Sequence, residues 1–173
     1  TDDEAAELKQ LQLLTMKPIL YVVNVDEVQL KKGFRVADIP ETLQVALCVK
    51  LEEELASLPP PEVAEYLSAL GLNMTGLDQL VTASYSLLGL ITFFTSGPQE
   101  TRAWTVRKGT KAPQAAGVIH TDFEKTFIRA EVINWQDFVE LGEAGAREKG
   151  KLRIEGKDYV IRDGDTCHFR VGA

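Results

Sequence analysis

The first half of the chain alternates short apolar runs with stretches of helical spacing. Residues 19–23 are continuous and apolar, and residues 43–49 are apolar apart from Gln44, which is typical of strands buried on both faces of a parallel sheet. Helical spacing follows in three stretches: residues 51–58, 59–70 and 75–90. Gly71 is placed to end the middle helix. This alternation of strands and helices predicts an α/β domain.

The chain opens with a helical pattern that ends early. Acidic residues follow Thr1, and Leu8, Leu11 and Leu14 share one stripe of a helix that we expect to run to about residue 14. Two strands are few for a complete parallel domain. We therefore expect residues 17–90 to be part of a longer domain that is truncated on its N-terminal side.

After residue 90 the pattern changes to short strands separated by turns. Phe93 and Phe94 lead into a Ser96-Gly97-Pro98 turn and a second strand over residues 102–106. The elements predicted after them are a helix over residues 112–119, a strand over 129–133, a helix over 135–149, and two strands around the turns at 155–157 and 163–165. Mixed strands around a helix predict a β-grasp, ubiquitin-like fold for residues 91–173.

The composition indicates a globular protein without a membrane span. The chain has 173 residues, of which 45% are hydrophobic, enough for one or two domains with ordinary cores. Its apolar runs are far shorter than the roughly 20 residues that a bilayer requires, so we expect a soluble, cytoplasmic protein. Cys48 and Cys167 lie far apart without metal-binding spacing, and we expect both to be buried thiols.

The formal net charge of -7 is unevenly distributed along the chain. Residues 1–90 carry 6 basic and 14 acidic side chains, whereas residues 91–173 carry 13 basic and 12 acidic ones. The second half can therefore bind RNA wherever its positive charges cluster. Trp104 lies within such a cluster and either stacks on a base or faces the core. The cationic residues of this cluster are Arg102, Arg107, Lys108 and Lys111.

Two other motifs invite a catalytic interpretation. Residues 145–151 have the G-x-x-x-x-G-K spacing of a phosphate-binding loop, but Leu152 stands where that loop needs a hydroxyl, and a helix precedes the motif. We expect no phosphate site there. His120 has no nucleophile or second histidine beside it, which favours a structural or partner-binding role. We predict neither a catalytic residue nor a metal site in this chain.

A candidate ligand-binding motif follows the first predicted strand. The run Asn24-Val25-Asp26-Glu27 lies at its carboxyl end, where open α/β sheets place ligands. The corresponding N-K-x-D element of Ras-like GTPases selects guanine, because its Asp accepts hydrogen bonds from both guanine donors and its Lys stem covers the base. Val25 is too short to cover a purine, and Glu27 carries its carboxylate one methylene further out, so we expect guanine selectivity to be lost. An ordinary surface loop is the alternative.

Residues 92–133 resemble the TGS domain of the YchF or Obg-like ATPases, an ATP-preferring branch of the Obg GTPases. The run from His120 to Glu131 matches the H-S/T-D-F/M-x-x-x-F-I-R-A-E pattern of that domain, with His120, Asp122, Phe123 and Arg129 at matching positions. Residues 156–165 look like its closing hairpin, and residues 13–27 look like the segment that ends in N-x-x-E.

The resemblance implies three parts of a longer protein. They are the end of a helical, coiled-coil insertion over residues 1–16, the C-terminal remnant of a Ras-like P-loop NTPase domain with a parallel sheet over residues 17–90, and a TGS domain over residues 91–173.

The resemblance also implies roles in purine binding. Asn24 would hydrogen-bond the purine ring, Val25 would offer backbone groups to the adenine amino group, and Glu27 marks the position of altered specificity. Cys48 and Val49 map onto the family's S-A pair before K-L-E-x-E-L. Cysteine in place of serine loses a good donor, although the backbone amides can still serve.

The implied longer protein binds and hydrolyses ATP with Mg²⁺, with GTP left open, and associates with ribosomes. The chain lacks a phosphate-cradling loop and a magnesium ligand, so we predict that alone it neither hydrolyses ATP nor binds it tightly. The implied partners are the ribosome or ribosomal RNA and the remainder of the nucleotide-binding domain, with no membrane and no DNA. The candidate contacts to RNA or ribosome are Arg102, Trp104, Arg107, Lys108, Lys111, His120 and Arg129. Alternatively, the TGS domain packs on the nucleotide domain and regulates it without touching RNA.

Overall fold

The computed structural model describes residue 8 and residues 10–172. The chain forms two compact units, one ending at Leu88 and the other beginning at Gly89. Of the helix predicted over residues 1–14, residues 1–7 and 9 lie outside the described residues. The prediction is wrong for residues 10–14, because residues 10–12 form a turn and Leu14–Met16 forms a short 3-10 helix. Among the described residues, no helix is both long and apolar enough to cross a membrane.

A two-stranded parallel sheet organises the first unit. β1 (Tyr21–Asn24) pairs in parallel with β2 (Gln44–Leu47), as the two apolar runs predict. Every residue of β2 is buried, but Tyr21 and Val22 of β1 are 44% and 48% exposed. The prediction that both strands are buried on both faces is therefore wrong for β1. The two strands differ because β2 packs against the helix Gly76–Leu88, whereas in the described part of the chain β1 packs mainly against β2.

Four α-helices follow β1 along the described part of the first unit. They are α1 (Glu27–Lys31), α2 (Val49–Ala56), α3 (Pro60–Leu70) and α4 (Gly76–Leu88), with a 3-10 turn at Glu41–Leu43. The sequence pattern does not predict α1, which begins at a capping box formed by Asp26 and Gln29. Leu51 of α2 and Leu67 of α3 belong to one buried core. Gly71 ends α3 with φ 72°, a conformation that glycine adopts without strain.

A five-stranded mixed sheet forms the second unit. Its strands are β3 (Leu90–Ser96), β4 (Thr101–Arg107), β5 (Phe127–Asn134), β6 (Arg153–Glu155) and β7 (Asp165–Val171), arranged in the order β4-β3-β7-β5-β6. β3 and β7 are parallel, and the other neighbours are antiparallel. The expected closing hairpin is wrong, because β6 and β7 both pair with β5. The segment between them instead carries Ile161, 2% exposed, into the core.

Three helices complete the described part of the second unit. They are α5 (Ala112–Ile119), α6 (Thr121–Lys125) and α7 (Trp135–Glu148). The alanines of α5 pack with Phe93, Ala130 and Val132 on one face of the sheet. α7 begins where the sequence predicts but is broken at Gly142, whose φ is 66°.

The opposite face of this sheet is only partly covered. Because side chains alternate along a strand, Glu131 faces away from the core formed by Ala130 and Val132. Phe138 of α7 and Ile133 line a small cavity of about 20 Å³ beside Glu131. The charged side chain of Glu131 therefore lies on the outer face of β5 and β7, beside α7 and away from the core.

Both cysteines are buried thiols, as predicted. Burial raises the pKa of the Cys167 thiol far above its ordinary value, which keeps it protonated and unreactive. Cys48 immediately precedes α2, next to the carboxyl end of β2.

Candidate functional sites

An open cavity of about 640 Å³ lies beside the loops that follow β1 and β2. Its lining includes four residues that the sequence assigns to purine binding: Asn24, Val25, Glu27 and Cys48. The carboxyl ends of parallel strands meet at one edge of a sheet, and ligands of open α/β sheets bind there.

The Asn24 side chain joins the two segments that form this cavity. Its Oδ1 accepts a hydrogen bond at 3.2 Å from the backbone N–H of Val49, a residue 25 positions further along the chain. Since Oδ1 takes this bond, the amide NH₂ is the group that remains to donate to a ligand. Asn24 therefore positions the start of α2 and also presents two donors.

Some neighbouring groups of the cavity are bonded within the protein, and others are free to bind a ligand. The Val25 N–H donates to the Leu47 carbonyl at 2.9 Å, which leaves the Val25 carbonyl as its potential acceptor. Asp26 is engaged in capping α1, because its Oδ1 accepts from the Gln29 N–H at 2.8 Å. Glu27 is the first residue of α1 and contributes a half-buried acidic side chain to the cavity lining.

The second unit holds Trp104 between a core contact and a cationic contact. Trp104 packs against the core, and its Nε1 donates to Thr95 Oγ1 at 2.9 Å. The Arg102 guanidinium lies over the indole, 4.2 Å from its ring centroid. Of the two roles expected for Trp104, core packing is therefore the one that the structure contains. A base could stack on the face that Arg102 covers only by displacing Arg102.

The cations near Trp104 do not share one side of β4. Val106 is buried on the core side, so Arg107 points away from the side that carries Arg102. The Lys111 Nζ lies 2.8 Å from Asp158 Oδ1, and this ion pair neutralises its charge. The cationic residues predicted to cluster therefore do not form one surface: Arg102 and Arg107 lie on opposite sides of β4, and Lys111 is paired with Asp158.

His120 and residues 145–151 take structural positions. The His120 Nδ1 accepts a hydrogen bond at 3.3 Å from the Asp122 N–H, so this histidine caps α6. Its side chain is 59% exposed and remains accessible to a partner. Residues 145–151 run from the end of α7 into the turn before β6. Helix therefore precedes strand there, the reverse of a phosphate-binding loop.

A group that the sequence interpretation overlooked surrounds Glu131, which is 6% exposed. Arg170 donates to both Glu131 oxygens, with Nε and Nη2 each at 3.3 Å. Arg147 Nη2 and Arg129 Nη2 lie 3.5 and 3.7 Å from the same carboxylate. The Arg170 hydrogen bond lowers the pKa of Glu131 against the opposing effect of burial, with Arg147 and His168 adding to the lowering. We call Arg129, Arg147 and Arg170 the arginine cluster.

A second buried carboxylate, Asp165, is enclosed by partners on the other side of β5. Asp165 is 2% exposed and accepts from the Tyr159 hydroxyl at 2.7 Å, from Arg153 at 3.2 Å and from the Arg162 N–H at 2.9 Å. Burial and the bond to Asp165 raise the pKa of Tyr159 to about 12. This network ties the segment before β7 to β6.

The fold is similar to that of a solved GTPase. The structure of the Schizosaccharomyces pombe YchF GTPase matches with a TM-score of 0.81 and 36% sequence identity, over 98% of this chain and 48% of that one. The family model described as YchF-GTPase_C, a protein of unknown function (DUF933), matches residues 90–172. In fold and sequence the chain is thus similar to about half of a P-loop GTPase.

Two curated relatives identify the family more closely. The ribosome-binding ATPase YchF of Bacillus subtilis (strain 168) is 52% identical over 98% of this chain and 49% of its own length. Obg-like ATPase 1 of Rattus norvegicus is 41% identical over 98% of this chain and 45% of its own length. The chain belongs to the YchF family of Obg-like ATPases, and it spans about half the length of the curated relatives it matches.

Proposed function

We propose that this chain supplies the purine-recognition loop and a docking domain of a protein that binds and hydrolyses ATP and associates with ribosomes. The observation that carries the proposal is the hydrogen bond from Val49 to Asn24 beside an open cavity at the carboxyl ends of β1 and β2. The relatives named ribosome-binding ATPases support the ribosome part of the proposal.

The loop is suited to adenine because of the groups it leaves available. The Asn24 NH₂ donates to an acceptor nitrogen of the purine ring, and the Val25 carbonyl accepts from the adenine amino group. Guanine presents an oxygen at that position, which a carbonyl would repel. Glu27 replaces the aspartate that selects guanine in Ras-like GTPases. Cys48 lines the cavity, and the Val49 N–H contributes by holding the Asn24 side chain.

ATP and Mg²⁺ belong to the longer protein in this proposal. Residues 145–151 run from a helix into the turn before a strand, and the next residue is Leu152 where a hydroxyl is needed. We therefore assign them no phosphate or Mg²⁺ contact. The chain on its own is proposed neither to hydrolyse ATP nor to bind it tightly.

The second unit is proposed to be a TGS domain that docks on the ribosome. Its strand order, with parallel β3 and β7 at the centre, is the arrangement of a β-grasp sheet and supports this assignment. Residues proposed to contact RNA or ribosomal protein are Arg102, Trp104, Arg107, Lys108, Lys111, His120 and Arg129. The Lys111–Asp158 pair and the cap formed by His120 make these two residues the weakest contributors.

The purine role is tested in the full-length protein that carries this chain. Asn24→Ala should weaken ATP binding about tenfold or more in calorimetric titration, because it removes a donor to the base and frees the start of α2. Asn73→Ala, at an exposed asparagine outside the cavity lining, is the matched control and should leave the affinity unchanged. Equal ATP affinity of the two variants would remove the purine role from Asn24.

A further inference from the structure

The outer face of β5 and β7 concentrates positive charge around one carboxylate. Glu131 has Arg129, Arg147 and Arg170 within 3.3 to 3.7 Å, and Glu143 lies 3.4 Å from Arg147. Three guanidinium groups thus face two carboxylates. The cluster therefore has a surplus of positive charge.

The surplus charge is accessible from solvent. The side chains of Arg129, Arg147 and Arg170 are 50%, 58% and 45% exposed, whereas Glu131 beneath them is 7% exposed. Each guanidinium has five N–H donors, more than the contacts to Glu131 and Glu143 use. An anion approaching from outside would meet donors that are already held in place.

A bound cation is a poor occupant of this cluster. Ligand atoms of Glu131, Glu143 and His168 lie within 4.8 Å of one another, a spacing that a metal ion could use. However, Arg170 donates to both oxygens of Glu131, and Arg147 contacts both glutamates. A metal ion would have to displace two guanidinium groups, so the cluster is built for an anion.

We propose that Arg129, Arg147 and Arg170 form a binding site for the phosphate backbone of RNA, with Glu131 holding the guanidinium groups in position. Arginine matches phosphate oxygens with paired N–H donors, and prior ordering of the side chains lowers the entropic cost of binding. This site rests on the proposed docking function. It adds Arg147 and Arg170 to the residues proposed to contact RNA.

RNA is favoured over an acidic peptide by the surrounding surface. Ser96 and Thr101, paired on β3 and β4, present hydroxyl groups 2.9 Å apart on the same face of the sheet as Glu131. Hydroxyls and arginines together are typical partners of phosphate and sugar groups. An acidic side chain would repeat the interaction that Glu131 already makes with Arg170.

The test compares two variants with the same change in net charge. The chain is titrated against a fluorescein-labelled oligouridylate of about 16 nucleotides, followed by fluorescence anisotropy at salt concentrations from about 50 to 200 mM. R129Q/R147Q removes two cations of the cluster and leaves the Arg170–Glu131 pair intact. K157Q/R162Q removes two exposed cations elsewhere in the second unit and serves as the matched control.

We expect R129Q/R147Q to bind roughly 10- to 30-fold more weakly near 0.1 M salt, with a log–log salt slope that is shallower by about 1.4. The control should stay within about twofold of the wild-type chain, since distant charges are screened. R129K/R147K keeps the charge and should retain the slope while losing part of the affinity, because lysine lacks the paired donors. Thermal midpoints equal to that of the wild type would show that each variant is folded.

Three results would overturn the proposal. If R129Q/R147Q and K157Q/R162Q weaken RNA binding equally, the cluster is not the site, while the docking function itself survives. If the wild-type chain binds no RNA, the RNA version of docking fails together with the cluster. If the chain binds polyglutamate through the cluster but not the oligouridylate, the partner is an acidic protein.

Discussion

Two buried carboxylates in the second unit meet their arginines in opposite ways. Asp165 is enclosed by Arg153, Tyr159 and a backbone N–H, and its single arginine also pairs with Glu155 at 3.2 Å. Glu131 instead lies beneath three half-exposed arginines. The same kind of arginine–carboxylate pair therefore stabilises the fold where its donors are enclosed. Where surplus donors face solvent, it is also able to bind a ligand.

The comparison predicts its largest stability effect at Asp165. Asp165→Ala leaves Arg153 and the Tyr159 hydroxyl without their shared acceptor, and we expect a loss of about 3 kcal/mol in the free energy of unfolding. Urea denaturation followed by tryptophan fluorescence measures this change. Asp158→Ala, which removes a fully exposed carboxylate, is the control and should leave the midpoint unchanged. Equal midpoints for both variants would refute the structural role of Asp165.

A smaller effect is expected at Glu131, where the arginines keep water as an alternative partner. Glu131→Gln should cost about 2 kcal/mol at neutral pH, because charge-assisted hydrogen bonds become neutral ones. The folded-state pKa of Glu131 is lowered below its ordinary value of 4.5, so its contribution is complete above that value. It is lost as pH falls through the folded pKa.

The pH dependence separates charge from shape at this position. The stability difference between wild type and Glu131→Gln should shrink as pH falls below about 4.5 in a series of urea denaturations. A difference that stays constant from neutral to acidic pH would mean that Glu131 acts by packing alone.

The smallest of these stability effects is expected at Tyr159. Tyr159→Phe removes one hydrogen bond to Asp165 while Arg153 stays paired, and should cost about 1 kcal/mol. The pKa of Tyr159 is raised to about 12 from an ordinary 10.0, so the contribution of its hydroxyl is present below pH 10 and is lost as pH rises toward 12. The free energy of unfolding of the wild type should therefore fall between pH 10 and 12 in part because Tyr159 ionises. The phenylalanine variant should lack this part of the fall. Identical alkaline profiles would contradict the assignment.

The elements that the sequence predicts well are those with a local cause. Gly71 ends α3, and helix α5 occupies residues 112–119 as expected, because caps and turn residues act within a few positions. The exposure of β1 and the separation of β6 from β7 depend on which strands pair, and strand pairing is not encoded in a local pattern.

The two candidate sites differ in the same respect. Asn24 to Glu27 form one contiguous run, so the loop is visible in the sequence, although its bond to Val49 is not. The arginine cluster brings together residues of β5, α7 and β7, and Arg170 lies 39 positions from Glu131. One signal could have found it: Glu131 is the one polar residue in the run 130–133 of the strand, and a buried carboxylate requires a cationic partner.

Ribosome docking through the second unit is tested most directly by co-sedimentation of the chain with purified ribosomes at low and moderate salt. We predict that the wild-type chain sediments with ribosomes at about 50 mM salt and is released near 200 mM. R129Q/R147Q should remain in the supernatant at both concentrations, while K157Q/R162Q behaves like the wild type. A wild-type chain that stays in the supernatant at low salt would contradict docking by this chain, and full sedimentation of R129Q/R147Q would contradict docking through the arginine cluster.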